Sequence, residues 1–212
     1  MKIKVFVFNP FYENTYVVYD ETTREAAIID CGCLGVDEET RLKNFVDEEK
    51  LSIKYLLNTH LHLDHQFGNH FAVATWGVLP SAHEGDRYWE NAFETQCMLF
   101  GIPQEVHNQS LGTMLREGDE LTIGNFKLTV LHVPGHSAGS ICFYNKKANV
   151  LFSGDALFRE SIGRTDLPGG NHPQLIEGIK TKILTMCDET IVYTGHGEST
   201  TVEHERYNNP YL

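Results

Sequence analysis

The sequence predicts an α+β (mixed α/β) fold in which two β-sheets pack face to face and helices flank them. Three observations carry this prediction. Short apolar runs of strand character recur along the 212-residue chain. Amphipathic helical patterns lie between them. The composition, with 41% hydrophobic and 22% charged residues, is typical of a globular chain with a sizeable core and excludes a disordered one.

The strand-like runs are short and fall into two blocks. The first block comprises residues 3–8, 15–19, 26–29 and 53–57, and the second comprises 121–123, 126–132, 140–144, 150–152 and 191–194. The pairs Gly118-Asp119 and Gly124-Asn125 are turn signals, and both predict turns between antiparallel strands. Two blocks of strands accompanied by helices favour two sheets over one.

Two segments have the periodicity of helices with one apolar face. Residues 37–50 and residues 173–186 each place apolar side chains at intervals of three and four positions. Asn171 precedes Pro173 by two positions, which predicts an N-cap for the second helix.

A third helical segment, residues 84–100, lies in mid-chain and is rich in aromatic residues and Met. We expect the surrounding segment 81–118 to be an insertion or lid. No linker, repeat or low-complexity run divides the chain, so we expect residues 1–212 to form one domain.

Charge and cysteine content exclude several classes of function. The net charge of −12 repels phosphate backbones and disfavours nucleic acid as a partner. No apolar run approaches the roughly 20 residues of a membrane span. Residues 2–8 alternate like a strand and are too short for a signal peptide. The five cysteines are mostly scattered, which is typical of a reducing compartment, so we expect a cytoplasmic protein.

Histidine is in unusual supply, with eleven in the chain. The motif His60-x-His62-x-Asp64-His65 follows the predicted strand 53–57. In an extended segment, residues i, i+2 and i+4 point to one side, so His60, His62 and Asp64 converge. His65 has to be brought round by a turn. We interpret this motif as a metal-binding segment and not as a solvated polar loop.

Three further donors follow predicted strand ends, and glycines stand beside them: His136, Asp155 and His196. Glycine permits tight turns and close approach at a crowded site. Zinc, iron and manganese all accept such nitrogen and oxygen ligands. Seven donors are too many for one tetrahedral ion. They predict two divalent ions that share a bridging carboxylate.

These motifs resemble those of the metallo-β-lactamase superfamily. The resemblance runs from residues 14–16 to residues 195–197, and only the segment of about 81–118 lacks a clear counterpart. It implies an αββα sandwich with the metals at one edge. By position, it implies that the first metal is bound by His60, His62 and His136, the second by Asp64, His65 and His196, and both by Asp155.

The segment 154–170 resembles the glyoxalase II branch of that superfamily, and more narrowly its short bacterial hydrolases. The resemblance implies a thioester hydrolase acting on S-D-lactoylglutathione or a related acyl-thiol. Bound metal ions would activate a water for attack on the thioester carbonyl, and we expect Asp64 to orient that water or accept its proton. We expect zinc at both sites, with iron or manganese as alternatives, a small glutathione-derived thioester as partner, and a monomer or homodimer.

Some positions depart from related branches. Asp155 stands where true β-lactamases of this fold usually have Cys, and Phe158 where lactone-opening relatives have Tyr. Classical glyoxalase II has a Lys and, two residues later, a Tyr that contacts glutathione, whereas this chain has Arg164 and Asp166. Asp166 cannot replace that contact.

We still expect substrate contacts from two residues. Arg164 can pair with a substrate carboxylate through a bidentate fork, and His172 lies near it in sequence. The chain ends soon after His196, so we expect the C-terminal helical domain that helps glyoxalase II bind glutathione to be absent.

Two other functions remain open. The string Gly-Arg-Thr-Asp at 163–166 also occurs in persulfide dioxygenases, which bind one iron through the positions of His62, His136 and Asp155. The residues flanking that string look more like the hydrolase. A non-catalytic binding module is the third reading, but such relatives usually lose ligands and this chain keeps them all.

Several residues keep alternative interpretations. Asp30 either steadies a metal ligand or caps a turn. Cys31 and Cys33 form either a redox pair or adjacent reduced thiols. Residues 88–100 form core or dimer contacts, or the hydrophobic wall of a pocket. Six histidines lie outside the donor set, and surface, capping or core positions are the general expectation for them: His70, His83, His107, His132, His172 and His204. Of these, His132, near His136, and His172, near Arg164, are the candidates for contact with a metal ligand or the substrate.

Overall fold

The first of two six-stranded sheets is built in chain order, each strand beside the next. The computed structural model describes residues 1–102 and 107–212. The strands are β1 (Lys2–Phe8), β2 (Glu13–Tyr19), β3 (Glu25–Ile29), β4 (Ser52–Leu57), β5 (Pro80–His83) and β6 (Met114–Leu115). The first three are antiparallel, and β3 to β6 are parallel. Parallel neighbours need crossovers, which contain α1 (Val36–Glu48), α2 (Asn69–Trp76) and α3 (Arg87–Leu99).

The second six-stranded sheet has the order β14-β13-β10-β9-β8-β7. Its strands are β7 (Glu120–Ile123), β8 (Phe126–His132), β9 (Ile141–Asn145), β10 (Val150–Gly154), β13 (Ile191–Thr194) and β14 (Thr200–Thr201). A small hairpin of β11 (Leu157–Phe158) and β12 (Ser161–Ile162) follows β10. The parallel crossover from β10 to β13 carries α4 (His172–Gly178) and a π-helical turn (Ile179–Ile183), and α5 (Val202–Asn208) follows β14.

The main hydrophobic core lies between the two sheets. It joins Val18 and Ile29 of the first sheet to Leu128, Phe143 and Phe152 of the second. On the outer face of the first sheet, α1 and α2 pack over a second cluster. On the outer face of the second sheet, α4 and α5 pack over a third. The predicted sandwich of two sheets flanked by helices is therefore confirmed.

Every predicted strand run corresponds to an observed strand, with ends that differ by at most two residues. Asn171 is confirmed as an N-cap, since its side chain accepts a hydrogen bond from Gln174 N at 3.1 Å. The predicted helix 173–186 is α4 continued by the π-helical turn. The predicted helix 84–100 is a 3₁₀ turn (Glu84–Asp86) followed by α3. The turn at Gly124-Asn125 joins the antiparallel strands β7 and β8.

One turn prediction was wrong. Gly118-Asp119 lies between β6 and β7, which belong to different sheets. The turn there, in which Asp119 N donates to Arg116 O at 3.1 Å, carries the chain from one sheet to the other and does not close a hairpin.

Segment 81–118 contains most of β5, α3 and β6. Because β5 and β6 extend the first sheet, part of this segment belongs to the sandwich itself. Its residues 103–106 lie outside the described ones. Over residues 1–102 and 107–212, no helix has the length and apolar character that crossing a bilayer requires.

Candidate metal centre

The side chains predicted to bind metal meet at one edge of the sandwich. His60 and His62 follow β4, and the 3₁₀ turn Leu63–His65 turns Asp64 and His65 toward the same place. The other donors come from the second sheet: His136 follows β8, Asp155 follows β10 and His196 follows β13. Loops after neighbouring strands thus bring together residues that are far apart in sequence.

The first group of donors consists of His60, His62 and His136. One ligand atom from each lies within 4.8 Å of the others. The Nε2 atoms of His60 and His136 are 3.2 Å apart. All three side chains are buried, so their nitrogens face one another and not solvent.

The second group consists of Asp64, His65 and His196, again with donor atoms within 4.8 Å of one another. The Nε2 atoms of His65 and His196 are 3.3 Å apart. His196 Nε2 lies 3.2 Å from Asp64 Oδ2. This group lies beside the first.

Asp155 faces both groups. Its Oδ2 is 3.5 Å from His136 Nε2 and 3.6 Å from His196 Nε2. Its Oδ1 is 3.4 Å from His65 Nε2. One carboxylate thus approaches a donor of each group, which is the placement that a bridging ligand needs.

The donor set fits divalent metal ions. Two nitrogens bound to one tetrahedral zinc at about 2.1 Å stand about 3.4 Å apart, close to the observed separations of the imidazole pairs. His62 Nε2 is buried without a hydrogen-bond partner, which is costly unless something binds it. Burial and the neighbouring His136 lower the pKa of His62 to about 3, so its imidazole is neutral, the form that binds metal.

The carboxylates of the cluster are ionised. Burial opposes ionisation of Asp155, but His65 and the other nearby histidines hold the pKa of its carboxyl well below the ordinary value. Burial likewise opposes ionisation of Asp64, yet His65 and His196 keep its pKa below the usual range. Two buried, ionised carboxylates side by side favour cations at this edge.

The far nitrogens of the donor histidines contact the protein. His136 Nδ1 lies 2.8 Å from Arg164 O, and His196 Nδ1 lies 3.0 Å from Phe11 O. His60 Nδ1 lies 3.1 Å from Thr59 Oγ1. Contacts of this kind fix the ring orientation and leave Nε2 for the metal.

Asp30 lies against the ring of His65. Its Oδ2 is 3.1 Å from His65 Nδ1. The same carboxylate accepts hydrogen bonds from Thr59 N and Thr59 Oγ1, each at 2.7 Å. Of the two interpretations of Asp30, its contact with a donor histidine is the one that the geometry supports.

Two buried carboxylates at the site carried no sequence signal. Asp86, just before α3, accepts hydrogen bonds from Leu61 N at 2.9 Å, Ser137 Oγ at 2.9 Å and Gly139 N at 2.6 Å, and so ties the His60–His62 loop to the His136 loop. Glu13, at the start of β2, lies with Asp30 and His65. Burial raises the pKa of its carboxyl well above the ordinary value.

Glycine allows the close packing that the sequence predicted. A Cβ atom at Gly195 would lie 2.0 Å from Asp155 Oδ1, so no larger residue fits beside the carboxylate without displacing it. Gly154, which precedes Asp155, has a φ of +50° and makes the turn after β10.

A cavity of about 460 Å³ opens onto the donors. Residues from α3 line it, while Phe93 and Cys97 of the same helix pack in the interior. Segment 88–100 therefore provides both a pocket wall and core contacts. The lining of the cavity includes two sets of residues: the donors His62, Asp64, His136, Asp155 and His196, and the surrounding Phe11, Trp89, Leu99, Phe100, Arg164 and Leu167.

The two predicted substrate contacts differ in position. Arg164 lines the cavity, and its Nε and Nη2 donate to the two oxygens of Asp166 at 2.7 and 2.8 Å. His172 is the first residue of α4 and is exposed, outside the lining of this cavity. Both roles stay predictions.

Cys31 and Cys33 are buried free thiols whose sulfurs are 3.7 Å apart. They are adjacent reduced thiols in this structure.

The fold and the donor set are those of a known protein family. The profile of the Metallo-beta-lactamase superfamily matches residues 8–196, a range that includes every donor of the cluster. The chain belongs to the metallo-β-lactamase superfamily.

Individual members of the superfamily are similar over the whole chain. Hydroxyacylglutathione hydrolase GloC of Haemophilus influenzae is 36% identical, with 100% of this chain and 98% of GloC covered. The crystal structure of the BLEG-1 B3 metallo-beta-lactamase is 36% identical, with a TM-score of 0.87 and coverage of 100% and 99%. TTHA1623, crystallised in a di-iron-bound form, is 32% identical, with a TM-score of 0.86 and coverage of 99% and 100%.

Proposed function

We propose that this superfamily member hydrolyses acyl thioesters, with S-D-lactoylglutathione as the first substrate to test. The observation that carries the proposal is the pair of three-donor groups with Asp155 between them, facing one cavity. The similarity to GloC, whose name describes hydrolysis of hydroxyacylglutathione, supports it.

The residues of the two groups would hold two divalent ions, with His60, His62 and His136 at the first, Asp64, His65 and His196 at the second, and Asp155 at both. We infer zinc as the native metal. Iron and manganese accept the same ligands, and TTHA1623 has been crystallised with two irons. When bound, such ions supply Lewis acidity and lower the pKa of water toward about 7.

The protein's own groups would position the reactants. Asp64 is ionised and lines the cavity, so its carboxylate can orient the attacking water or accept its proton. Asp30 lies against the ring of His65, and Asp86 is hydrogen-bonded to the loops of the first group. Arg164 would lie near the carrier end of the substrate, because its guanidinium borders both the cavity and the open surface.

We further infer that residues 1–212 form one domain, in which α3 and its flanking loops act as the cavity wall. The partner is a small thioester, and the acidic surface disfavours nucleic acid. We infer a monomer or a homodimer.

A paired assay tests the proposal on one preparation with quantified metal. Metal-free protein is reloaded separately with zinc, iron and manganese. Each sample is then assayed for S-D-lactoylglutathione hydrolysis, for O₂ uptake with glutathione persulfide, and for opening of a β-lactam. We expect thioester hydrolysis in proportion to bound metal.

The other arms identify the competing functions. O₂ uptake by iron-loaded protein without thioester hydrolysis would identify a persulfide dioxygenase. β-Lactam opening alone would identify the activity that the name of BLEG-1 describes. Fully loaded protein without any of the three activities would contradict catalysis on these substrates altogether.

A further inference from the structure

Two cavities meet at the donor cluster, and charged residues make up a larger share of the lining of one than of the other. The two cavities share His136, Asp155, Arg164 and His196. A thioester has two limbs on either side of its reacting carbonyl, the acyl group and the thiol carrier. A carbonyl held at the donors would therefore direct one limb into each cavity.

The first cavity, the apolar pocket, is the one that α3 borders. Trp89, Leu99 and Phe100 come from this helix and its C-cap, and Phe11 and Leu167 complete the wall. The Trp89 ring lies 4.5 Å from the His62 ring, measured between centroids, so the apolar surface begins directly at the donors.

Part of this wall is exposed. Leu99 is 79% exposed and Phe100 is 59% exposed. Phe11 and Phe100 pack edge to face, with ring centroids 5.6 Å apart, and so extend the apolar surface across the pocket. Burying such surface against an apolar ligand releases free energy in proportion to the area covered.

The second cavity, the charged cleft, is lined beside the donors by Arg159, Arg164 and Glu198 together with Phe158 and Gly197. Arg164 is paired with Asp166, and Arg159 Nη1 lies 3.7 Å from Glu198 Oε2. Each cation among the described lining residues thus faces a carboxylate, and the sequence of residues 103–106 contains no Lys or Arg. A cleft that contains positive and negative side chains in nearly equal number suits a polar thiol carrier that itself has both positive and negative groups.

We propose that the acyl group of the substrate is apolar and longer than lactoyl, and that it occupies the apolar pocket while the thiol carrier lies in the charged cleft. This inference rests on the proposed thioester hydrolysis. In that reaction one water is consumed, the acyl C–S bond breaks, a C–O bond forms, and a carboxylic acid and a thiol are released. The redox states of carbon and sulfur do not change.

The test uses glutathione thioesters that differ only in the acyl group: acetyl, D-lactoyl, butanoyl, hexanoyl and phenylacetyl. We expect kcat/KM to rise about fourfold for each methylene that the pocket buries, since burial of one CH₂ releases about 0.8 kcal/mol. The hexanoyl ester should exceed the lactoyl ester by at least about tenfold.

Two variants on the same helix test the location. Leu99 lines the pocket, whereas Met98, which is 73% exposed, does not. Leu99→Ser should reduce kcat/KM for the hexanoyl ester about threefold to tenfold more than it reduces kcat/KM for the acetyl ester. Met98→Ser should change neither. Because both side chains are exposed, thermal melting should be alike for the two variants.

Binding of unreactive analogues separates this inference from the proposed function. S-methylglutathione and S-hexylglutathione have an alkyl group in place of the acyl group and cannot be hydrolysed. Calorimetry should show tighter binding of the hexyl compound, with the difference reduced by Leu99→Ser. If no thioester is hydrolysed but this difference persists, thioester hydrolysis is wrong and the apolar pocket is retained as a binding site.

Three results would overturn the inference: a kcat/KM that is flat along the series, a lactoyl ester preferred over the hexanoyl ester, or equal effects of Leu99→Ser on the acetyl and hexanoyl esters.

Discussion

The donor cluster and the apolar pocket face each other, yet they are held in opposite ways. The donor histidines are backed by contacts such as His136 Nδ1 to Arg164 O at 2.8 Å and His65 Nδ1 to Asp30 Oδ2 at 3.1 Å. In contrast, Leu99 and Phe100 lie exposed at the end of one helix. From this difference we infer two roles: the buried edge holds the reacting groups, and the exposed helix end contacts the part of the substrate that sets its specificity.

The comparison predicts that changes in the buried edge have large effects on every substrate. Asp155→Ala removes the carboxylate that faces both donor groups, so we expect activity to fall about 10³-fold or more for each substrate. Bound metal should fall as well. Elemental analysis and kcat/KM on two thioesters measure both.

Glu198→Gln is the matched control for Asp155→Ala, because Glu198 lines the same charged cleft and is 83% exposed at its side chain. It should keep the metal content and most of the activity. Full activity and metal content in Asp155→Ala would eliminate the bridging role and the mechanism built on it.

The next largest effect is on folding. Asp86→Ala leaves the buried N–H groups of Leu61 and Gly139 without their acceptor. Each unsatisfied donor costs about 1–3 kcal/mol, so we expect metal-free protein to lose about 3 kcal/mol of unfolding free energy. Urea unfolding measures it. Glu84→Ala, in the same 3₁₀ turn but exposed, should stay within about 0.5 kcal/mol of the wild type.

An unchanged unfolding free energy in Asp86→Ala would mean that the two donor loops hold together without this carboxylate. The donor cluster would then not differ from the apolar pocket in the way described, because its loops would not depend on buried hydrogen bonds.

A smaller effect is expected behind the second donor group. Asp30→Asn keeps the side-chain shape and tolerates the backbone φ of +52° at this position, but removes the negative charge facing His65. Loss of such a partner typically costs 10- to 100-fold in metal affinity, so we expect a loss of about that size. Competition with a chelator measures it. If both the metal affinity and the melting temperature of the metal-free protein were unaltered, Asp30 would have no role in metal binding, and only its role in the turn after β3 would remain.

The two regions also differed in how far the sequence revealed them. The donors were predictable because His60, His62, Asp64 and His65 stand at fixed local spacing, which strand geometry converts into convergence. Asp86 was not, because its partners Leu61, Ser137 and Gly139 are distant in sequence. A lone acidic residue before a helix carries no mark of such contacts.

Short elements escaped prediction for a related reason. The strands β5 and β6 have four and two residues, too few for periodicity to stand out, and their place in the first sheet depends on pairing with distant strands. The apolar pocket was foreseen only as one of several uses of residues 88–100, since helical periodicity alone does not separate a core face from a cavity wall.

The smallest predicted effect concerns the ion pair at the rim of the charged cleft. Hydrogen bonding from Arg164 lowers the pKa of Asp166 to about 2. Because this value is below the ordinary one for Asp, the pair is intact above about pH 4 and is lost only as the pH falls through 2.

Arg164→Ala should raise KM for a glutathione thioester more than it lowers kcat. Asp166→Asn frees the guanidinium for a carboxylate of the carrier and should lower KM about twofold to fivefold, the range of an exposed ion pair. Between pH 5 and 9 the ratio of the two KM values, wild type to Asp166→Asn, should stay constant, because Asp166 does not titrate there. A fall in kcat that exceeds the rise in KM for Arg164→Ala would assign Arg164 to the reacting end of the substrate instead of the carrier.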